Sequence, residues 1–264
     1  SIANISLSDQ TDPLSKKVGI GTDLPDFKLT LESDAGILAE GTFGSGADYS
    51  VLSDGAYFIW WPKKAALRAG TVTQQTIGGS TKTPWDPDLI GDYSVAFGHN
   101  SLASATGSVV ASGNNNRTGE SSSCGPDSTI AGGESNQINF GKHALTIGGG
   151  QSHHLGGDVA AGLNCSTSGA SFEFIGGGKG YMLGKDYSTV IGGEGGAYDP
   201  SADPPAVTEL GAFSSIGGGF MPAQNHDTAD YLTALGGSGH TLASSYGAIG
   251  GGQSHSLAGN YSYI

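Results

Sequence analysis

The sequence predicts an all-β fold in which short strands stack as coils, preceded by a small β-rich domain. Three observations support this prediction: 47 of the 264 residues are glycine, short apolar blocks recur at regular spacing, and only 13% of residues are charged. So much glycine without a strict three-residue period excludes collagen. The regular blocks argue against disorder, because a disordered chain has its few apolar residues diluted evenly.

The charge of the chain excludes one class of partner. The formal net charge is −13, from 24 acidic and 11 basic residues. Binding to a phosphate backbone requires a basic face, and the cluster of Lys63, Lys64 and Arg68 is too small to provide one. We therefore expect no nucleic-acid partner. No apolar run approaches the ~20 residues of a membrane-spanning helix, so no membrane span is expected in this fragment.

A change of composition near residue 90 predicts two domains, a β-rich head or connector over 1–89 and a repeat array over 90–264. All three tryptophans and seven of the 11 basic residues lie in the first 90 residues, together with only 10 of the 47 glycines. The chain stops at 261–264 part-way through a repeat, and we therefore expect it to belong to a longer fibre.

In the second region, a small or apolar pair followed by glycine recurs in about ten units, two of which are weaker and centre on Gly113 and Gly162. The clear units are Ala96-Phe97-Gly98, Ile130-Ala131-Gly132, Thr146-Ile147-Gly148, Phe174-Ile175-Gly176, Val190-Ile191-Gly192, Ser215-Ile216-Gly217, Ala234-Leu235-Gly236 and Ala248-Ile249-Gly250. The predicted coil has about 14 residues, with insertions at 198–209 and 220–230. A coil this short cannot bury its own apolar residues, whereas stacked coils share a core. So narrow a stack favours lateral association into a closed ring of identical chains.

One segment of this array follows a known repeat almost position for position. It has the sequence Tyr93-Ser94-Val95-Ala96-Phe97-Gly98-His99-Asn100-Ser101-Leu102-Ala103-Ser104, and it resembles the head repeat NSxAxGxxSxAxG of trimeric autotransporter adhesins. Later units with glycine runs and insertions are similar to the heads of phage tail fibres and mosaic adhesive trimer fibres. The resemblance covers roughly residues 90–264. It implies a left-handed parallel β-roll, an intertwined homotrimer, and a place on a cell surface or a phage tail fibre.

The first region carries a second resemblance. The segment Lys17-Val18-Gly19-Ile20-Gly21-Thr22, with Lys28-Leu29-Thr30-Leu31 after it, is similar to the VGIGTTSP…KLxV segment of tail fibres and trimeric adhesins. Asp23-Leu24-Pro25 replaces the usual Thr-Ser-Pro. Alternation at Phe27, Leu29 and Leu31 predicts a half-buried strand, and residues 57–61 are predicted to form another strand that Pro62 ends.

A polar position recurs in the second half of the units. Aligning them on their Leu or Ile brings five residues into one column: Asn136, His153, Tyr181, His240 and His255. If this column faced the axis of a trimer, three imidazoles would meet there and bind a metal or an anion. The alternative is a polar strand position without a burial cost, which tolerates Asn, Tyr or His.

No motif for catalysis or cofactor binding is present. The sequence has no G-x-S-x-G elbow, P-loop or HExxH motif, and its acidic residues are scattered without a candidate pair for acid–base chemistry. We therefore expect no enzyme, no metal and no cofactor. Cys124 and Cys165 match no CxxC motif, and they are compatible either with a disulfide or with two free thiols.

The candidate ligand-binding residues are aromatic or polar side chains in the first region and in the two insertions. Tryptophans are suited to stacking on sugar rings, although they also fill cores and subunit interfaces. Long loops on a rigid scaffold concentrate binding residues. The candidates are Trp60, Trp61, Tyr198, Asp199, Phe220, His226 and Asp227.

These observations predict an extracellular trimeric fibre or adhesin segment that binds a cell-surface glycan or protein receptor. Two alternatives stay open, a structural spacer within a longer fibre and a tailspike-like enzyme that cleaves polysaccharide. An ice-binding array is disfavoured, because it requires threonines at fixed coil positions and we expect Thr129, Thr146, Thr189 and Thr233 at drifting offsets.

Overall fold

The all-β class is confirmed in a computed structural model of the chain, which describes residues 18–20, 29–31, 37–77, 79–119, 126–139, 144–155, 172–183, 186–195, 213–219, 230–242 and 245–264. Within these residues, 22 strands form, numbered β1 to β22 along the chain. The same residues contain two 3₁₀ turns, Pro62–Lys64 and Pro87–Leu89, and no α-helix. Two compact units divide at residue 40, Ser1–Glu40 and Gly41–Ile264.

The first unit contains a parallel pair of short strands, β1 (Val18–Ile20) and β2 (Leu29–Leu31). These strands fall in the segment with the VGIGT resemblance, and the predicted strand at Leu29 and Leu31 is confirmed. Phe27 lies outside the described residues.

The second unit is built on one sheet of 11 strands. The sheet starts at its edge with β3 (Gly55–Trp61), which pairs antiparallel with β4 (Ala66–Val72). Pro62 follows β3 directly, as predicted, because proline cannot donate to the next ladder hydrogen bond. Nine parallel strands then stack in chain order on β4: β7 (Val95–His99), β9 (Val109–Val110), β11 (Thr129–Ile130), β13 (Thr146–Ile147), β15 (Phe174–Ile175), β17 (Thr189–Val190), β18 (Ser215–Ile216), β19 (Thr233–Ala234) and β21 (Ala248–Ile249). The pairing is continuous across residue 90.

A second parallel sheet faces the first across the core. Its strands are β8 (Leu102–Ala103), β10 (Arg117–Thr118), β12 (Gln137–Ile138), β14 (His154–Leu155) and β16 (Met182–Leu183). Near the end of the chain, β20 (Thr241–Leu242) pairs with β22 (Ser256–Leu257) in the same manner. A separate hairpin is formed by β5 (Gln75–Ile77) and β6 (Ser80–Lys82).

The buried core is a column of aliphatic side chains from both sheets. Ile130 pairs with Ile147, and Ile147 with Ile175, so each coil adds one inward residue directly above the last. The second sheet contributes the facing residues, such as Ile138 and Leu155. The stacked strands therefore share one continuous core, as the repeat pattern predicted.

Two details of the predicted repeat are wrong. Strand β13 pairs directly with β15, so no strand from the weak unit at Gly162 lies between them in this sheet. In units such as Thr146-Ile147-Gly148, the residue aligned with Ile130 is Ile147 and not Thr146. Each coil contributes one strand at the same position, but the loops between strands differ in length. The spacing of glycines depends on both, so it does not identify the inward residue of each strand.

The threonines expected at drifting offsets occupy one position of the coil, which corrects that expectation. Thr129 pairs with Thr146, and Thr189 and Thr233 follow in the same column. The column is not a continuous threonine array, because Phe174 and Ser215 interrupt it.

One glycine in each coil is required by the close approach of neighbouring coils. Gly150 has φ +94°, and a Cβ on it would fall on the carbonyl oxygen of Gly178 in the next coil. A Cβ on Gly178 would likewise fall on the carbonyl oxygen of Gly193. By contrast, Gly149 has open space where a Cβ would be. The recurring glycine is therefore a packing requirement at one position and not at its neighbour.

Candidate functional site

The structure describes two of the seven sequence-predicted site residues. Trp61 is 6% exposed and belongs to the small core beside β3, whereas Trp60 is 42% exposed on the other face of that strand. Trp85 is fully buried, and its indole Nε1 donates to the carbonyl of Ser101 at 2.8 Å. The remaining candidates lie outside the described residues: Tyr198, Asp199, Phe220, His226 and Asp227. The same holds for Cys124 and Cys165.

Trp60 and Trp61 line an aromatic-walled cavity of about 420 Å³ at the edge strand β3, together with Tyr49, Tyr57 and Asp48. The Tyr49 hydroxyl donates to the carbonyl of Trp85, and the Tyr49 ring packs edge-on against Trp61 with 5.0 Å between ring centroids. Burial raises the pKa of Tyr49 well above its ordinary value, so this hydroxyl stays a donor at neutral pH. Aromatic walls with a carboxylate at the rim suit a ligand with apolar and hydroxyl-bearing faces.

The outward face of the main sheet carries no charged side chain in its two central columns. Strand pairing aligns the first column as Trp60, Leu67, Val95, Val109, Thr129, Thr146, Phe174, Thr189, Ser215, Thr233 and Ala248. The second column lies two residues away on each strand and contains Phe58, Ala69, Phe97, Ala111, Ala131, Gly148, Gly176, Ile191, Gly217, Leu235 and Gly250. Phe58 is 77% exposed, and Ile191 and Leu235 are each 66% exposed. We call this surface the uncharged face.

A ladder of six aromatic rings follows one corner of the coils, and the sequence analysis missed it. The rings stack with centroids 4.8 to 5.3 Å apart and with nearly parallel planes. The members are Phe172, Tyr187, Phe213, Tyr231, Tyr246 and Tyr261. All six have φ between +56° and +63°, which is unusual for bulky residues. The signal in the sequence was an aromatic residue two positions before the outward residue of each of these six coils.

The predicted polar column is confirmed in its alignment, but both interpretations of it are wrong. Asn136, His153, Tyr181 and His240 are buried inside the single chain, and only His255 is partly exposed. They therefore do not present imidazoles to an axis between subunits, and they are not exposed polar positions. Instead, each of the four buried side chains bonds the backbone of its own turn or of the next coil, as when His240 Nδ1 accepts from the N–H of His255.

Burial changes the protonation behaviour of this column. Removal from water lowers the pKa of His153 to about 4, and the backbone of Gly178 opposes that shift only in part. The ring is therefore neutral at pH 7. Its Nδ1 accepts a hydrogen bond from the backbone N–H of Tyr181 at 3.2 Å, which only an unprotonated nitrogen can do. The two rings also stack, with centroids 5.8 Å apart.

Two properties of the part of the chain that the structure describes concern metal ions and membranes. There, no group of three or more His, Cys, Asp or Glu residues could hold a metal ion. No helix there is long and apolar enough to cross a membrane.

Comparisons of the chain with protein families, with curated proteins and with solved structures find no match. The resemblance to trimeric adhesin heads therefore depends on the quoted repeat residues alone, and it stays a prediction.

Proposed function

We propose that this chain is a segment of an extracellular trimeric fibre that binds a cell-surface ligand, with glycans as the first class to test. The observation that carries the proposal is the uncharged face, which runs along the whole strand stack of a chain with a net charge of −13. The face combines threonine, serine and glycine with exposed apolar side chains such as Phe58, Ile191 and Leu235, and exposed apolar groups arranged along one face favour a protein–protein interface.

The geometry of the uncharged face favours association between copies of the same chain. Its 11 strands extend over about 48 Å at the usual strand spacing. Identical chains have identical strand spacings, so two copies match along the full length of the face. A closed ring buries the coil part of the face, from β7 to β21, on every copy, whereas an open lattice does not. Trp60 on the edge strand β3 lies outside this contact in the proposal. In this proposal the stack is a left-handed β-roll and the ring is a homotrimer.

The ligand is proposed to bind in the cavity lined by Trp60 and Trp61. Tyr57 and Ile59 extend the apolar wall, and Asp48 adds a carboxylate that is already paired with Lys63 at 2.8 Å. An aromatic wall beside a fixed carboxylate offers both contacts that a pyranose ring uses, an apolar C–H face and hydroxyl groups.

The mass of the full chain in solution tests the assembly. Light scattering after size exclusion is expected to give about three times 26.4 kDa. The double variant Ile191→Glu, Leu235→Glu places two carboxylates on the uncharged face and is expected to be monomeric, because buried like charges oppose association. Ser256→Glu, an exposed position on strand β22 and outside the uncharged face, is the matched control and should stay trimeric. A monomeric wild-type chain overturns the proposal.

A structural spacer is the second candidate, favoured by the uninterrupted hydrogen bonding from β4 to β21. A trimer that binds no glycan or cell surface would identify it. A polysaccharide-cleaving enzyme has less support among the described residues. Glu134 and Glu194 share one column but are three strand spacings apart, roughly 14 Å, which exceeds the ~5–9.5 Å between paired catalytic carboxylates in glycosidases.

A further inference from the structure

A polar groove of about 370 Å³ lies on the side of the stack where the second sheet begins, away from the uncharged face. Six side chains from four successive coils line it: Ser135, Gln137, Ser152, His154, Lys179 and Glu194. Backbone bridges join Gln151 to Lys179 and Lys179 to Glu194, so the lining residues keep a fixed register. The groove follows the stacking direction of the coils.

Small residues at one corner of the coil create this groove. Ser135 and Ser152 have φ +55° and +57°, and the corresponding positions in the next two coils are Gly180 and Gly195. No large side chain therefore fills the space between the bridge column and strands β12 and β14. The six-ring aromatic ladder occupies the other left-handed corner of the coils, so bulky residues are compatible with such corners in this fold.

The groove carries two charged side chains, Lys179 and Glu194, in positions that suit a polar ligand. Lys179 and Glu194 are one strand spacing apart, both are exposed, and neither makes an ion pair within the described residues. Gln137 adds an amide, which both donates and accepts. Burial lowers the pKa of His154 below its ordinary value, so its ring is uncharged at pH 7. The lining side chains thus contribute one positive and one negative charge.

We propose that this groove binds a segment of a neutral oligosaccharide, about two pyranose rings long. An ammonium group and a carboxylate at a fixed separation bind neighbouring hydroxyls, the ammonium as donor and the carboxylate as acceptor. Strands are about 4.8 Å apart, a distance comparable to the advance per ring of an extended β-1,4-linked sugar chain, so successive rings of such a chain meet equivalent positions of successive coils. The chain's charge of −13 disfavours acidic sugars. This inference adds a glycan site apart from the cavity at Trp60 and Trp61, and it rests on the proposed function only in taking glycans as the ligand.

The test is a glycan array followed by calorimetric titration of the full chain. The neutral probes are cellotriose, chitotriose, maltotriose and laminaritriose, and the acidic probe is tri-galacturonic acid. We expect at least one neutral trisaccharide to bind and the acidic one to bind at least tenfold more weakly. Lys179→Ala and Glu194→Ala should each weaken binding tenfold or more. The matched controls are Lys82→Ala and Asp88→Ala, a surface ion pair outside the groove, and they should change binding less than twofold.

The outcomes separate this inference from the proposed function. Wild-type binding that survives both groove variants but is lost in Trp60→Ala assigns the sugar to the aromatic cavity and overturns the groove. A trimer that binds none of the probes also overturns the groove, while the fibre assembly stands. Stronger binding of tri-galacturonic acid overturns the neutral-sugar assignment. Circular dichroism and the mass of each variant establish that a loss of binding is not a loss of folding.

Discussion

Oδ1 of Asn136 accepts a hydrogen bond from the backbone N–H of His153 in the next coil, at 3.1 Å. The amide nitrogen of the same side chain donates to the carbonyls of Gly132 and Gly150, both at 3.0 Å. Gly132 lies in the same coil as Asn136, and Gly150 lies in the next one. One buried amide therefore fixes a turn and joins two coils. Asn116 makes the equivalent bonds one coil earlier.

The first prediction concerns this amide. Asn136→Ala leaves the carbonyl of Gly132 and the buried N–H of His153 without a partner, and it removes one of the two donors to the Gly150 carbonyl. It should lower the free energy of unfolding by about 3 kcal/mol. Gln137→Ala changes the neighbouring outward side chain and should cost less than about 0.5 kcal/mol. Urea denaturation followed by circular dichroism measures both. Equal effects of the two substitutions would show that the hydrogen bonds of the Asn136 side chain contribute little to stability.

The second prediction is a loss of stability in mild acid that depends on His153. The folded state holds the pKa of this group at about 4, below its ordinary value of 6.5. The unfolded chain therefore binds the proton first as the pH falls, and stability present above pH 6.5 is lost progressively towards pH 4. Between pH 7 and pH 5 this group should account for about 2 kcal/mol.

His153→Asn is the variant that isolates this effect, because Asn occupies the same column at Asn116 and Asn136. The remaining histidines are unchanged, so the difference between the two pH profiles reports on His153 alone. The urea midpoint should fall less between pH 7 and pH 5 in the variant than in the wild type. Parallel profiles would contradict a neutral, buried His153.

The third prediction uses adjacent glycines as a matched pair. Gly150→Ala brings a methyl group onto the Gly178 carbonyl at a φ of +94°, and it should cost about 3 kcal/mol or prevent folding. Gly149→Ala meets no atom within 4 Å and should be neutral within about 0.5 kcal/mol. Thermal unfolding of both variants gives the comparison. A tolerated Gly150→Ala would contradict the close approach of the coils.

Much of the stack was predictable because its signal repeats. Strand β3 ends at Trp61 because Pro62 follows, and the recurring aliphatic residue marks the inward position of every coil. The column from Asn136 to His255 was also aligned correctly. Its role was not predictable, because alternation alone does not tell whether a polar side chain faces water or the backbone of the next coil.

Other features could not be predicted without knowing the register in which the strands pair. The threonine column and the uncharged face appear only when strands are paired, since loops of different length separate one strand from the next. The same is true of the groove, whose Lys179 and Glu194 belong to different coils. The aromatic ladder had a local signal but a position that bulky residues rarely adopt, so sequence preferences argue against a left-handed corner there.

The fourth prediction is a coupling energy within the aromatic ladder. Phe213 and Tyr231 stack with centroids 5.0 Å apart and an interplanar angle of 2°. In a double-mutant cycle with Phe213→Leu and Tyr231→Leu, the coupling should be about 1 kcal/mol. Phe213 and Tyr261 do not stack with each other, and the cycle with Phe213→Leu and Tyr261→Leu should be additive. Additivity in both cycles would show that the rings are neighbours without mutual stabilisation.

The fifth prediction concerns Arg68, which is fully buried where β4 meets the first coil. Its guanidinium donates to the carbonyls of Leu67, Ser94 and Ala103, each at 2.9 Å, and to the Ser94 hydroxyl at 2.7 Å. Burial lowers the pKa of Arg68 to about 10, so the group is still charged at pH 7. The bound oxygens come from the strand β4, from the turn before β7 and from β8, so this one side chain connects three segments.

Removal of the Arg68 guanidinium should therefore make the hairpin of β3 and β4 open more often, while the backbone pairing of β4 with β7 remains. Arg68→Met keeps most of the volume but removes four hydrogen bonds at a buried site, and a cost of about 3 kcal/mol is expected. The carbonyls of Ser94 and Ala103 each keep one backbone N–H donor. Arg68→Lys retains the charge but not the planar fork of donors, and its cost should be intermediate. Lys63→Met, at an exposed ion pair, should cost less than about 1 kcal/mol. Hydrogen exchange should show faster opening of β3 and β4 in Arg68→Met, with the later coils unchanged. An unaltered exchange rate in β3 would contradict the connecting role of Arg68.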